Sequence, residues 1–328
     1  MTRTRRCWTA TFAGSLAAMA CLGATLPAQG SRGQEVVFSS APIEVLRLQP
    51  NVYVVAGGGS NIVMQTGPDG VVLVDAGSGV QSPGVLAAVK KLSDAPIRYV
   101  IDTSADPDHV GGNASLDRAG EGFDRSPGAM TVGHERVLLR MSAPTGEKSP
   151  FPTDLWPKTT YLEKKDIYLN GEAIRIVHQP AAHTDGDTIV FFRRSDVLAA
   201  GDIFNPTRFP VVDVSRGGSI QGEIAALNVL VNIAVTPTPL PWQEGGTLVV
   251  PGHGRVSEAA ELVEYRDMVT IIRDVIADMI KKGMTLDQVK AADPAKGFTP
   301  EYGATSGPWT TTMFVEAIYK SLTAKTQR

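Results

Sequence analysis

The chain has 328 residues, a formal net charge of −3 and 43% hydrophobic residues, which is enough apolar material for a full core. It contains no long run of lysine or arginine. Because nucleic-acid phosphates are bound by clustered cationic side chains, this composition argues against a nucleic-acid partner.

The N-terminus has the three parts of an export signal. Arginines in the first six residues precede an apolar, alanine-rich stretch over residues 8–26, and Leu26-Pro27-Ala28 resembles a small-residue cleavage site. We expect residues 1–28 to be a signal peptide and residues 29–43 a flexible lead-in, and the mature chain to be periplasmic or secreted. An uncleaved membrane anchor is the alternative, and the choice between general secretion and twin-arginine export stays open. No later stretch is apolar enough to cross a bilayer.

Both cysteines, Cys7 and Cys21, fall within the expected signal peptide. A cleaved chain would contain no disulfide, no thiol nucleophile and no thiolate metal ligand. Any metal site must therefore use histidine and carboxylate ligands.

The hydrophobic pattern alternates between strand and helix periods from residue 44 onward, which predicts a single α/β domain over residues 44–328. Strands are predicted at residues 51–56, 60–65, 71–74, 97–101, 174–177, 188–192, 197–200 and 247–250. Helices are predicted at residues 83–92, 221–233, 257–282 and 311–322, and a further one is predicted to begin at a capping box over residues 285–288. Residues 118–165 show no readable pattern.

Three of the five histidines lie in a loop directly after a predicted strand, and so does Asp202. The three are His109, His183 and His253. Taken singly, each is more often a hydrogen-bonded structural residue. Because loops at strand ends converge in α/β folds, the set together with Asp106 and Asp108 predicts a metal site. His134 and His178 lack this placement, and we expect structural roles for both.

Five segments, in this order, resemble the motifs of the metallo-β-lactamase superfamily. They are Asp75-Ala76-Gly77, Asp108-His109-Val110-Gly111-Gly112-Asn113, Ala182-His183-Thr184-Asp185-Gly186-Asp187, Gly201-Asp202 and Pro251-Gly252-His253-Gly254. The resemblance implies a four-layer αβ/βα sandwich with the site at one edge of two paired sheets. Asp75 and Asp185 are expected either to support the ligand loops and imidazoles or only to stabilise turns.

The sequence departs from the family pattern at the first metal site. Ser104 and Asp106 stand where the family usually has two histidines. The resemblance implies that the first metal would keep His183 and Asp202, with Asp106 as a candidate oxygen ligand.

The second site is complete by the same resemblance. It implies that Asp108, His109 and His253 hold the second metal and that Asp202 bridges the two ions. We therefore expect one tight site and one weak site. Zinc is the first expectation, and iron or manganese is the alternative because of the added oxygen ligand.

These features predict a metal-dependent hydrolase of an ester, lactone, lactam or similar small molecule. The metal would lower the pKa of bound water, and Asp108 would orient that water or accept its proton. The alternative is a metal- or small-molecule-binding protein of the same fold with impaired catalysis. After signal cleavage we expect no membrane insertion, and the sequence leaves the oligomeric state open.

Overall fold

The structure is a computed structural model that describes residues 42–144, 148–237 and 245–324. The described residues all belong to one compact unit. The predicted signal peptide and most of the predicted lead-in lie outside the described residues. Among the residues that are described, no helix is both long enough and apolar enough to cross a membrane.

The first sheet has seven strands that follow one another in chain order. They are β1 Glu44–Gln49, β2 Val52–Ala56, β3 Ile62–Gln65, β4 Val71–Val74, β5 Ile97–Ile101, β6 Met130–His134 and β7 Thr159–Tyr161. Neighbours from β1 to β4 are antiparallel, because short turns join them. Neighbours from β4 to β7 are parallel, and helices supply the crossovers between them.

The second sheet has five strands in the order β12-β11-β10-β9-β8. They are β8 Lys164–Leu169, β9 Glu172–His178, β10 Thr188–Phe192, β11 Val197–Gly201 and β12 Leu248–Pro251. Only β11 and β12 are parallel, and a helix lies between them in the chain.

The helices, in chain order, are α1 Ser82–Leu92, α2 Pro107–Val110, α3 Asn113–Ala119, α4 Glu135–Ser142, α5 Ile220–Ile233, α6 Ala259–Lys281, α7 Leu286–Ala292, α8 Thr299–Tyr302 and α9 Thr311–Thr323. Helices α1 to α4 lie between strands of the first sheet in the chain, and helices α5 to α9 come after β11.

The two sheets pack face to face through one buried cluster. It joins Val54, Val63 and Ile101 of the first sheet to Ile174 and Val190 of the second. β3 and β4 are buried at every position, because the second sheet covers one face of each strand and helices cover the opposite face.

Helices cover the outer face of each sheet. On the first sheet, Val85 of α1 and Leu116 of α3 belong to a cluster with Leu73 of β4. On the second, α5, α6 and α9 share the largest cluster with Leu198 of β11 and Ile189 of β10. The layers are therefore helix, sheet, sheet, helix, which confirms the predicted αβ/βα sandwich.

Every predicted strand and helix is present, and the ends coincide or differ by at most two residues. The predicted capping box at Thr285 forms, and Gly283 ends the preceding helix region with a left-handed φ of 79°. The sequence missed β1, β8, α2, α3 and α8, and it also missed the elements of residues 118–165. Those last elements are β6, α4 and β7, which have three to eight residues each and are too short to establish a period.

Candidate metal centre

The six predicted metal ligands converge at one edge of the paired sheets. Asp106, Asp108 and His109 follow β5, and His183, Asp202 and His253 follow β9, β11 and β12. Their donor atoms form two groups, each within 4.8 Å. One group is Asp108, His109 and His253, and the other is Asp106, His183 and Asp202.

Helix α2 separates the ligands that follow β5. Asp106 is its N-cap with extended φ and ψ of −78° and 142°, and Pro107 opens the helix, where its missing N–H costs nothing. Asp108 and His109 then lie in the helical turn. The backbone is extended at Asp106 and helical at Asp108 and His109. Asp106 therefore belongs to one donor group, and Asp108 and His109 belong to the other.

The spacing of the first group matches the donor spacing of a tetrahedral metal site. His253 Nε2 lies 3.0 Å from Asp108 Oδ2 and 3.6 Å from Asp202 Oδ1, and His109 Nε2 lies 3.3 Å from Asp202 Oδ2. Metal–ligand bonds of about 2.1 Å at tetrahedral angles put donors about 3.4 Å apart. Asp202, a member of the other group, thus also reaches both histidines of this one, as expected of a bridging carboxylate.

The chemistry of His109 also fits a metal. Its side chain is fully buried, and Nε2 makes no hydrogen bond among the described residues. A buried polar nitrogen without a partner is unfavourable, and a metal ion at this point would satisfy its lone pair. The residues of this group therefore suit a divalent ion.

Asp75 fixes the His109 ring from the other side. His109 Nδ1–H donates to Asp75 Oδ2 (2.9 Å), and the backbone N–H of Thr103 donates to Asp75 Oδ1 (2.8 Å). With its proton on Nδ1, the ring presents the Nε2 lone pair to the metal group. The supporting role predicted for Asp75 is confirmed. Burial lowers the pKa of His109, but Asp202 and Asp75 outweigh it and raise that pKa well above its usual value, so a metal ion that binds Nε2 would displace a proton from it.

Gly252 allows the strand ends to approach each other closely. A Cβ at this position would lie 2.4 Å from Asp202 Oδ1 and 3.0 Å from His109 Cε1. Any side chain would therefore displace two members of the site. This contact explains the glycine directly before His253.

In the second group, Asp187 orients His183. His183 Nδ1 lies 3.3 Å from Asp187 Oδ1, and the Thr184 N–H donates to Asp187 Oδ2 (2.6 Å). The sequence analysis expected Asp185 either to support a ligand loop or imidazole or to stabilise a turn, and it did not identify Asp187 as the partner of His183. Asp185 instead accepts two hydrogen bonds from Arg140, at 3.0 and 2.8 Å.

Asp106 is bound to an arginine that the sequence analysis did not identify. Arg216 Nη1 donates to Asp106 Oδ1, while Asp106 Oδ2 lies 3.6 Å from His183 Nε2. The buried Ser104 hydroxyl lies 3.4 Å from Asp106 Oδ2, so it contacts this carboxylate. Asp106 thus has a cationic partner in addition to its candidate role as a metal ligand.

Glu223, on α5, is a second group that the sequence analysis missed. It is fully buried, and neither carboxylate oxygen has a hydrogen-bond partner among the described residues. Burial, with a contribution from nearby Asp187, raises the pKa of Glu223 well above its usual value. The available signal was a single acidic residue in the otherwise uncharged segment Ile220–Ile233.

His134 and His178 pair with each other. Their rings stack with centroids 3.5 Å apart, and the two Nε2 atoms bond the carbonyl oxygens of Leu162 and Asp185. Neither histidine belongs to a candidate metal group of the described residues. Their contacts agree with the structural roles expected from the sequence.

Comparisons with known proteins place this site in a family. The model of the metallo-beta-lactamase superfamily matches residues 47–266. A linear primary-alkylsulfatase from Pseudomonas sp. is 23% identical over 278 residues, an alignment that covers 71% of this chain and 50% of that protein. The chain thus spans about half the length of this curated relative.

Two solved structures show the same fold. A metallo-beta-lactamase from Pontibacter korlensis has a TM-score of 0.54 at 17% identity and covers 70% of this chain and 99% of its own. A stereoselective inverting sec-alkylsulfatase from Pseudomonas sp. has a TM-score of 0.57 at 14% identity and covers 85% of this chain and 50% of its own. Because the family model matches more than half of the chain, in the segment that carries all six candidate ligands, the protein belongs to the metallo-beta-lactamase superfamily.

Proposed function

We propose that the protein is a metal-dependent hydrolase that uses one tightly held divalent ion, zinc in the first instance, with iron or manganese as alternatives. The observation that carries the proposal is the group of Asp108, His109, His253 and Asp202, whose facing donor atoms lie 3.0 to 3.6 Å apart. When bound, the ion would activate water and polarise the oxygen of the scissile group.

Asp108 is the proposed proton acceptor. Burial alone would raise its pKa, but the hydrogen bond with His253 and the charge of His109 hold that pKa below its usual value. Asp108 is therefore a carboxylate at neutral pH, and it can bind the ion or receive a proton from water. Its side chain is 19% exposed, which leaves it within reach of solvent.

The proposed substrate is an ester, lactone, lactam or similar small molecule. Among these, two observations favour a sulfate ester. The similarity to two alkylsulfatases favours it. A cavity of about 540 Å³ beside Asp106 also favours it, because the cavity is lined by the cations Arg140 and Arg216 and the apolar side chains Leu139 and Phe151. Cations suit a sulfate group, and the apolar wall suits a hydrocarbon chain.

The test compares chromogenic substrates of each class, namely p-nitrophenyl acetate, p-nitrophenyl sulfate and a chromogenic cephalosporin. We expect turnover of at least one by the zinc-loaded protein, loss on chelation, and recovery when zinc is restored. His253→Ala should abolish activity and empty the tight site. His178→Ala removes an imidazole outside both groups and serves as the matched control.

Failure of every substrate while zinc is retained would favour the alternative, a metal- or small-molecule-binding protein without catalysis. Turnover that survives complete metal removal would contradict metal dependence.

We also propose that the mature chain begins near residue 29 outside the cytoplasm, and mass spectrometry of protein from its native host tests this. Retention of residues 1–28 in cytoplasmic protein would contradict it.

A further inference from the structure

Arg216 is held in place between two carboxylates. Its Nε donates to Asp213 Oδ2 (2.7 Å), and its Nη1 donates to Asp106 Oδ1. Asp213 is itself fixed, because it caps the short 3-10 turn Val214–Arg216 by accepting from the backbone of Ser215 and Arg216. The contact with Asp213 therefore helps to hold the guanidinium beside Asp106.

This contact changes what the second donor group can bind. Of its three members, Asp106 has one oxygen engaged by Arg216, and its other oxygen faces His183 Nε2 at 3.6 Å. Asp202, the third member, also reaches the histidines of the first group. A guanidinium stays charged at every accessible pH, so a divalent ion on Asp106 would lie close to a fixed positive charge.

We propose that the guanidinium of Arg216 takes the place of the first metal ion. It occupies Asp106, keeps a second divalent ion from the group of Asp106, His183 and Asp202, and supplies a permanent positive charge beside the single ion. The loss of two imidazoles at Ser104 and Asp106 is then compensated by a cation from another loop, 110 positions along the chain from Asp106.

The same arrangement indicates a role in substrate binding, which rests on the function proposed above. Arg216 and Asp106 both line the cavity that contains Leu139 and Phe151. A guanidinium presents its N–H groups in one plane and binds oxyanions in a fixed orientation, whereas a metal ion would bind them by coordination. The anionic or developing negative oxygen of a substrate bound in this cavity would thus meet the N–H groups of Arg216.

The experiment counts ions rather than turnover, so this inference and the proposed function can fail separately. Purified full-length protein is stripped of metal and titrated with zinc or cobalt(II) alone. Bound ions are measured by elemental analysis, and the cobalt(II) absorption bands are recorded. The parent, Arg216→Met, Arg216→Lys and Arg140→Met are compared. Arg140 lines the same cavity and is paired with Asp185, so it is the matched control for the loss of a guanidinium.

We expect one tightly bound ion in the parent, in Arg216→Lys and in Arg140→Met, and a rise toward two in Arg216→Met, with a second set of cobalt(II) bands. Two tight ions in the parent would overturn the proposal. An unchanged count in a folded Arg216→Met would also overturn it, as would an equal rise in Arg140→Met or Arg216→Lys. Circular dichroism checks the fold of each variant. If Arg216→Met does not fold, the counts of the parent and of Arg216→Lys decide.

Discussion

Replacing Asp75 with asparagine changes one charge without changing the shape of the side chain. Asp75 has a left-handed φ of 66°, and asparagine is among the residues that adopt this conformation most readily. The substitution should therefore add no backbone strain. The backbone and the fold should therefore survive. The effect must then come from the hydrogen bonds to His109 and Thr103.

Neither orientation of the new amide satisfies both partners. If its oxygen accepts from the Thr103 N–H, its NH₂ faces His109 Nδ1, which also carries a hydrogen. His109 must then move its proton to Nε2, the atom that the metal needs. If the amide is turned round, its NH₂ faces the Thr103 N–H. One buried donor is thus left unpaired, or His109 has the wrong tautomer.

We expect Asp75→Asn to weaken zinc binding about 10- to 100-fold, the usual effect of losing a carboxylate that orients a ligand imidazole. This corresponds to about 1.4 to 2.8 kcal/mol. Competition with a chromophoric chelator measures the affinity, and unfolding of the metal-free proteins separates binding from stability.

The control is Asp187→Asn, which removes the corresponding carboxylate from His183 in the other group. It should leave the tight affinity within a fewfold of the parent. Parent-like binding by Asp75→Asn would refute the tautomer argument. An equal loss in Asp187→Asn would show that the two groups are not separate sites.

Three further predictions concern the site and its surroundings. Gly252→Ala should lower zinc occupancy at a given free zinc concentration, because its Cβ would lie 2.4 Å from Asp202 Oδ1; occupancy equal to the parent's would contradict the close approach. Phe209→Ala should lower the free energy of unfolding by about 3 to 5 kcal/mol in urea titrations, since the ring is 1% exposed, and a loss below about 1 kcal/mol would contradict that burial. Burial and the neighbouring His178 lower the pKa of His134, so the folded protein binds fewer protons there than the unfolded chain. Stability should therefore fall as the pH drops below about 6.5, the ordinary histidine value, and the fall should be shallower in His134→Gln.

The elements that place the first donor group and Asp202 were predictable because each leaves a strong pattern in the sequence. β5, β11 and β12 are runs of mostly buried apolar residues that end at a glycine or a polar residue, and their positions put His109, Asp202 and His253 at a common edge. Short elements without a period were not predictable. β7 has only three residues, and helix α2 has a single turn.

Contacts between loops left no pattern either. Arg216 reaches Asp106 from a 3-10 turn ahead of α5, across 110 positions, and no periodicity connects the two. Asp185 and Asp187 flank one glycine in the same motif, and only the three-dimensional turn decides that Asp187 faces His183 while Asp185 faces Arg140. The sequence could therefore name candidate ligands but could not assign their partners.

The two donor groups differ in how their charges are compensated, and this difference has a structural origin. The first group lies on strand ends and one helical turn, where Asp75 fixes His109 and Gly252 allows close approach, so its geometry suits a metal ion. The second group depends on Asp106, whose partner Arg216 comes from a loop. A carboxylate at position 106 accepts a guanidinium as readily as a metal ion, whereas a histidine there would repel one when protonated and bind a metal when neutral. Asp106 and Arg216 are therefore parts of one electrostatic arrangement, and neither explains the site without the other.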